Sequence, residues 1–180
     1  MDFRRALTLV VACAAWPVHA EPSGVALQQR IKAAFLTKFP AYVEWPSSAF
    51  RQPQAPFVIG VAGAEPVARE LEQAAAARTV NGRPLRVHRL AAGEPADDCC
   101  HVIFVGSDSG PERAAELVAQ ARGKPILTVT DTQDPPAGSV INFRVQDDRV
   151  RFDISRGAAE RNQLQLRSQL LAVAREASDR

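Results

Sequence analysis

The sequence has little excess of charge of either sign. Its 180 residues carry 22 lysines and arginines against 20 aspartates and glutamates, a formal net charge of +2 at pH 7. Without a block of basic residues, the chain lacks the electrostatic footprint of a nucleic-acid-binding protein. Hydrophobic residues make up 46% of the sequence, which excludes a wholly disordered chain. We therefore predict a folded protein of ordinary domain size that does not take nucleic acid as a partner.

The sequence also lacks an apolar run of the roughly 20 residues that are needed to cross a bilayer. The nearest approach is at the N terminus, where two arginines precede an apolar segment over residues 6–16. Val18 and Ala20 then supply the small residues that a signal peptidase requires at its third and first positions. We predict a signal peptide over residues 1–20, cleaved after Ala20, and an exported mature domain over residues 21–180.

Cysteine is scarce as well. Cys13 lies in the apolar leader, where its lipid modification is an alternative despite a cleavage box placed too early. Cys99 and Cys100 are adjacent, so their Cα atoms lie about 3.8 Å apart, closer than disulfides prefer. We predict no disulfide within the chain, with both thiols free or one bridged to another molecule. With His101 they form Cys-Cys-His, but adjacent strand residues point to opposite faces, so we predict no metal site.

Intact catalytic motifs are missing too. The sequence Gly60-Val61-Ala62-Gly63 stands where a phosphate-binding turn would, but alanine breaks the dinucleotide-binding pattern. Gly106-Ser107-Asp108-Ser109-Gly110 resembles a nucleophile elbow, but its centre is aspartate rather than serine. His88 is predicted to be solvated, and His101 could act as a general base only with a nucleophile beside it. We predict that the protein is not an enzyme and binds no cofactor.

The most informative segment that is present is residues 31–46, IKAAFLTKFPAYVEWP. Five apolar side chains recur at helical spacing and predict one buried stripe: Ile31, Phe35, Phe39, Tyr42 and Val43. Lys32, Lys38 and Glu44 fall off that stripe and are predicted to be exposed. Pro40 cannot donate a backbone hydrogen bond, so we expect a kink or break there. Trp45-Pro46 is predicted to end the helix.

Apolar strands alternate with helical segments through the rest of the chain. Buried strands are predicted at residues 57–63, 101–106 and 125–129, and helices at residues 65–77 and 110–122. Asn81-Gly82 marks a turn, and residues 139–145 and 149–154 alternate around Asp147-Asp148 as an antiparallel hairpin. Ser155 is predicted to cap a last helix that carries Leu164, Leu166, Leu170, Leu171 and Val173. The pattern predicts an α/β fold: one three-layer sandwich with a mixed, mostly parallel sheet, a C-terminal antiparallel hairpin and helices on both faces.

Five stretches in this order resemble the YfiR-like family of periplasmic proteins. They are residues 31–46 with their terminal Glu-Trp-Pro, 79–90 (TVNGRPLRVHRL), 100–106 (CHVIFVG), 125–131 (PILTVTD) and 138–154 with the later leucine-rich helix. Together they cover nearly the whole mature chain. The chain departs from the best-known member at residues 134–136 and at Asn142, where that member has cysteines. The resemblance therefore implies that a stabilising disulfide is absent there, and that Cys100 lacks a partner elsewhere in the domain.

The resemblance implies a periplasmic regulator rather than a catalyst. The best-known members restrain an inner-membrane diguanylate cyclase, and an outer-membrane lipoprotein relieves that restraint. Other members serve membrane-bound sensor kinases, and members tend to form homodimers. Binding energy concentrates in a few aromatic and arginine anchors, so Tyr42, Glu44 and Trp45 are the candidate partner-binding residues. Packing in the core is the alternative role for Trp45.

A small-molecule sensor serving a membrane sensor kinase is the alternative function. In α/β sheets, ligands bind in the crevice beyond the carboxyl ends of the strands, here near Gly63, Gly106 and Asp131. The candidate ligand-binding residues are Arg83, Arg89 and Asp131, although solvated charged side chains are the simpler reading of the arginines.

Overall fold

The computed structural model describes residues 24–50, 52, 54–96 and 99–179. The predicted signal peptide and its cleavage site lie outside these residues. Within them, no helix is both long enough and apolar enough to cross a lipid bilayer. The helices are α1 (Gly24–Lys38), α2 (Glu65–Ala75), α3 (Pro111–Ala121), α4 (Arg156–Arg161) and α5 (Ser168–Val173).

The described strands form an eight-stranded sheet and a separate two-stranded ribbon. The strands are β1 (Val43–Glu44), β2 (Phe57–Ala62), β3 (Thr79–Val80), β4 (Arg83–Arg89), β5 (Val102–Val105), β6 (Leu127–Thr130), β7 (Ile141–Gln146), β8 (Arg149–Ser155), β9 (Gln165–Leu166) and β10 (Glu176–Ser178). The large sheet has the order β10-β8-β7-β6-β5-β2-β4-β3, and β1 pairs with β9. Strands β4, β2, β5, β6 and β7 are parallel neighbours, whereas β8 is antiparallel to β7. The predicted α/β fold with a mixed, mostly parallel sheet is confirmed.

Helices cover the sheet on both faces because the central strands are apolar on both sides. In β5, Val102 and Phe104 belong to the core that includes side chains of α1 and α2. Ile103 and Val105 belong to a smaller core that includes side chains of α3. A strand that is buried on both faces reads as a continuous apolar run rather than an alternating one. The three layers therefore follow from the uninterrupted apolar composition of these strands.

The predicted interruption at Pro40 is confirmed. Helix α1 ends at Lys38, and residues 39–42 form a turn of 3₁₀ helix. The chain then enters β1, so Trp45-Pro46 does not end a helix as expected. Two exposure predictions are also wrong. Tyr42 is 39% exposed rather than buried, because the turn rotates it away from the stripe. Lys32 is only 8% exposed, because its ammonium pairs with the carboxylate of Asp131.

The two predicted turns have the expected backbone. Asn81 and Gly82 have φ values of 50° and 78° and connect the antiparallel strands β3 and β4. Asp147 and Asp148 have φ values of 49° and 57° and connect β7 to β8. Positive φ at both central residues is the geometry of two-residue hairpin turns, and asparagine, aspartate and glycine tolerate it best.

The predicted long C-terminal helix is wrong after its first turns. Ser155 does cap α4, since its Oγ accepts a hydrogen bond from the Ala158 amide at 3.1 Å. The helix ends at Arg161, and Gln163 takes a positive φ of 58°. The leucines at helical spacing are divided among the segment after α4, strand β9 and helix α5. Leu164 and Leu170 are buried and Leu166 and Leu171 partly buried, but Val173 is 62% exposed, so its predicted place in the core is wrong. Helical periodicity alone could not distinguish a continuous helix from this broken path.

Candidate functional site

The crevice at the carboxyl edge of the sheet is narrowed by the protein's own backbone. Strand β2 has β4 as its neighbour on one side and β5 on the other. The order of the strands therefore reverses between β2 and β5, and the switch point lies there. There Asp108 N donates to Gly63 O at 3.2 Å. A Cβ atom on Gly63 would lie 2.1 Å from Ser109 Oγ, and one on Gly106 would lie 2.3 Å from Gly63 O. Both glycines are required for this close contact at the switch point. Clefts of about 210 and 410 Å³ remain on either side of it, the first lined by Gly63 and Asp108 and the second by Ser107 and Thr132, among others.

Asp131 lies at this edge, beyond β6, but it is engaged in an ion pair. Its Oδ2 accepts a hydrogen bond from Lys32 Nζ at 2.6 Å. The two side chains are 22% and 10% exposed, respectively, so the pair is largely removed from solvent. The pair links α1 to the end of β6. Removing either partner would leave the other charge largely buried and unpaired, which is destabilising.

The two candidate arginines lie at opposite ends of β4. The strand has seven residues, so Arg83 and Arg89 are separated by about 20 Å at 3.3 Å per residue. Arg89 is held by Glu72 and Glu65 at 2.7–2.8 Å, and hydrogen bonding from Arg89 lowers the pKa of Glu72. A cleft of about 210 Å³ beside Arg89 is also lined by Glu65. The structure does not bring Arg83, Arg89 and Asp131 together in one site.

Arg83 instead belongs to an aromatic cluster at the amino edge of the sheet, formed by Trp45, Phe50, Phe57 and His101. The guanidinium of Arg83 lies 4.0 Å from the centre of the Phe50 ring and donates hydrogen bonds to the carbonyls of residues 52 and 55. The His101 ring stacks on Phe57 and Phe50 with centroid separations of 4.7 and 4.9 Å. Cation–π contact and ring stacking thus bind the loop after β1 to the start of β2.

His101 is a neutral, structural residue of this cluster. Its Nδ1 accepts a hydrogen bond from the Val58 amide at 3.1 Å. Burial among the rings, and next the positive charge of Arg83, lower the pKa of His101. An imidazole that accepts a backbone hydrogen bond and resists protonation joins β2 to the segment that leads into β5. This arrangement positions strands rather than activating a nucleophile.

The three candidate partner-binding residues have different environments, and one of them, Trp45, is a member of this cluster. The indole of Trp45 is half-buried: its Nε1 donates to Pro40 O at 3.2 Å, and its ring meets Phe57 edge to face at 5.1 Å. Tyr42 and Glu44 are exposed. The Glu44 carboxylate lies 3.6 Å from the Arg167 guanidinium across the β1–β9 ribbon. The structure therefore places Tyr42 and Glu44 on the surface, whereas Trp45 packs against Phe57 in the aromatic cluster.

The prediction that the chain contains no internal disulfide is wrong. Cys99 and Cys100 are joined to each other, with Cα atoms 3.8 Å apart. The prediction rested on this short Cα separation, which is below the range that disulfides prefer. The bridge forms all the same, in a turn that precedes β5, which begins only at Val102. Cys100 is also given room by Gly60, where an added Cβ would lie 2.7 Å from the Cys100 sulfur.

The bridge forms one wall of a cleft of about 320 Å³ at the amino edge of the sheet. The opposite side includes Pro56, Pro125 and Ile126, with Lys124 at the same opening. Neither the cleft nor the role of Phe50 was recognised in the sequence. Glycine inside an apolar strand is the one signal that could have pointed there, since it often marks a close approach. Among the described residues, no group of three or more histidine, cysteine, aspartate or glutamate side chains could hold a metal ion.

The chain is thus an α/β sandwich with an aromatic cluster at its amino edge, and the exposed residues Tyr42 and Glu44 lie close to this cluster in sequence. The model of the YfiR/HmsC-like family (DUF4154) matches residues 29–175, and the chain belongs to that family. The family is periplasmic and regulatory rather than catalytic, and it is associated with cyclic-di-GMP signalling. A comparison with curated proteins finds no match.

Proposed function

We propose that this protein is an exported periplasmic regulator, without catalytic activity of its own, that lowers the output of an inner-membrane diguanylate cyclase. The observation that carries the proposal is the family match over residues 29–175. A periplasmic protein can change the cytoplasmic level of a cyclic dinucleotide only through a partner that spans the inner membrane. The proposed partner contact is therefore with the periplasmic domain of the cyclase.

The surface that we assign to this contact consists of Tyr42 and Glu44 on and before β1. Tyr42 offers an exposed aromatic ring, and aromatic side chains are enriched among residues that dominate binding energy. Glu44 adds a charge at the rim, where its bond to Arg167 is exposed on both sides. Trp45, which lies between these residues and Pro46 in sequence, is fixed by its hydrogen bond to Pro40 O and by its contact with Phe57. In this proposal Trp45 positions the contact residues rather than meeting the partner.

The test is a deletion strain in which cellular cyclic-di-GMP is measured. Loss of the gene is expected to raise the cyclic-di-GMP level, and the wild-type chain is expected to restore it. Tyr42→Ala is expected to fail in restoring the low level although the protein accumulates normally. Arg86→Ala, an exposed residue on β4, is the matched control and is expected to behave as wild type. An unchanged cyclic-di-GMP level in the deletion strain would reject the proposal.

Relief of the restraint by an outer-membrane lipoprotein and homodimerisation of the chain are further parts of this proposal. Family membership supports them, and each has its own measurement. Light scattering coupled to size-exclusion chromatography is expected to give twice the chain mass. Purified lipoprotein ectodomain is expected to compete with the cyclase domain for the chain.

A second candidate is a small-molecule sensor that serves a membrane sensor kinase. The close contact of Gly63 and Gly106 narrows the switch-point crevice, and the cleft at the amino edge, about 320 Å³ in volume, offers another place for a ligand. Native mass spectrometry of protein purified from periplasm separates the two functions. A retained small molecule would favour the sensor, and bare protein would favour regulation by protein contact alone.

A further inference from the structure

We propose that the Cys99–Cys100 bridge is a thiol–disulfide exchange site that is opened by a dithiol entering the amino-edge cleft. The proposal does not depend on the cyclase partner, because the reaction involves only this chain and the dithiol. It rests on three observations: the bridge joins adjacent residues, it lines an open cleft, and one of its sulfurs packs against a glycine on β2.

The two sulfurs have different environments. Cys99 is partly exposed in the turn, whereas Cys100 is 8% exposed and belongs to the core beside α3. An attacking thiolate requires access to one sulfur and a leaving thiolate on the other. Access favours attack at Cys99, and Cys100 then leaves. Lys124 contributes a positive charge to the same cleft, which favours the approach of an anionic thiolate.

The exchange balances with a dithiol as the reductant. The first thiolate of the dithiol attacks Cys99 Sγ, the Cys99–Cys100 bond breaks, and Cys100 departs as a thiolate that takes up a proton. The second thiol of the reductant loses its proton and attacks the mixed disulfide at the sulfur of the reductant. Cys99 then leaves as a thiolate and is protonated. Two electrons pass to the chain, two thiols form on it, and the dithiol becomes a disulfide.

Opening the bridge is expected to change the environment of the aromatic cluster. His101 follows Cys100 directly, and its ring lies 6.3 Å from the Trp45 ring. The His101 amide and carbonyl are hydrogen-bonded to Val58 O and Leu127 N, respectively. Release of the Cys100 sulfur from Gly60 therefore acts on a segment that is fixed between two strands. Trp45 is the one tryptophan outside the predicted signal peptide, so its fluorescence reports on this segment.

The experiment uses the full exported chain, purified from periplasm without reductant and probed with dithiothreitol. Before treatment, the unfolded protein is expected to take up no maleimide at Cys99 and Cys100, and its intact mass is expected to be lower by two hydrogens. After dithiothreitol treatment under folding conditions, two maleimides are expected, together with a change in Trp45 fluorescence. Maleimide uptake by the untreated protein, or resistance of the bridge to dithiothreitol until the protein is unfolded, would overturn the proposal.

Three variants sharpen the test. Gly60→Ala would bring a Cβ to 2.7 Å from the Cys100 sulfur, so faster reduction by dithiothreitol is expected. Gly24→Ala, where nothing lies within 4 Å of the added atom, is the matched control and is expected to be reduced at the wild-type rate. Cys99→Ser cannot form the bridge, so its Trp45 fluorescence should not respond to dithiothreitol. A response equal to that of the wild type in Cys99→Ser would show that the signal does not come from the bridge and would reject the proposal.

Discussion

At the scale of single residues, Trp45 is assigned a role in positioning the proposed contact residues rather than in contacting the partner itself. Its position in the Glu-Trp-Pro sequence, after the first helical segment, made it a candidate contact residue. The structure packs its ring against Phe57 and ties its Nε1 to Pro40 O. The neighbours that bury it come from β2 and from the turn before β1. Local sequence could suggest an aromatic anchor, but it could not reveal which distant strand covers the ring.

Trp45→Ala is therefore expected to lower the free energy of unfolding by about 3 kcal/mol, because it leaves a cavity against Phe57. Tyr42→Ala, which removes an exposed ring, is expected to cost about 1 kcal/mol or less. Urea unfolding followed by circular dichroism measures both values without relying on tryptophan fluorescence. Equal losses in the two variants would contradict the division between supporting and contact residues.

His101 gives a pH dependence at the same scale. Burial lowers its folded-state pKa below the ordinary value of 6.5, so the unfolded chain binds the extra proton first as pH falls. The stabilisation is complete above about pH 6.5 and is lost as pH decreases towards the folded-state pKa.

His101→Asn is expected to flatten the dependence of unfolding free energy on pH between roughly 5 and 7. Asparagine can still accept the Val58 amide hydrogen bond but does not titrate. Gln163→Ala, which removes no ionisable side chain, is the control and should keep the wild-type slope. An unchanged slope in His101→Asn would show that another group sets this dependence.

At the scale of elements, the sequence predicted the strands well and the C-terminal helix badly. Strands β2, β5 and β6 are uninterrupted apolar runs, and the hairpin turn at Asp147-Asp148 has its own chemistry. For the leucines after Ser155, helical spacing was the only indication of a helix. What breaks the helix is Asn162, whose buried side chain bonds to Ile126 O at 2.9 Å and to Gly123 N at 3.2 Å. Both partners are remote in sequence, so no local pattern contained this information.

Asn162→Leu is expected to lower the free energy of unfolding by about 2 kcal/mol, because it removes the hydrogen bonds that the buried side chain makes to the Ile126 carbonyl and the Gly123 amide. Gln163→Ala is the neighbouring control. It removes one exposed hydrogen bond to Gly123 O and is expected to cost less than about 1 kcal/mol. Thermal unfolding of both variants gives the comparison. A loss in Asn162→Leu no larger than in Gln163→Ala would mean that the bonds of Asn162 do not hold α4 in place.

At the scale of the whole molecule, both edges of the sheet carry accessible features. At the carboxyl edge, where the order of strands predicts a ligand, the close contact of Gly63 and Gly106 narrows the crevice and leaves smaller clefts beside it. The amino edge holds Tyr42, Glu44 and the cleft beside the Cys99–Cys100 bridge. The motif around Trp45 could be found in the sequence. The cleft could not, because it is assembled from three loops that meet only after the sheet has formed.

The bridge at this edge is expected to contribute little to the stability of the molecule. A disulfide stabilises mainly by closing a loop in the unfolded chain, and the effect grows with loop length. The Cys99–Cys100 bridge joins neighbouring residues, so it restricts almost no chain. The double variant Cys99→Ser and Cys100→Ser is expected to unfold within about 1 kcal/mol of the oxidised wild type in chemical denaturation. Cys100→Ser alone, which keeps one thiol but no bridge, is the control and should match it. A loss of several kcal/mol in both would show that the bridge is a structural fastening, and would remove the reason for treating it as a site that opens and closes.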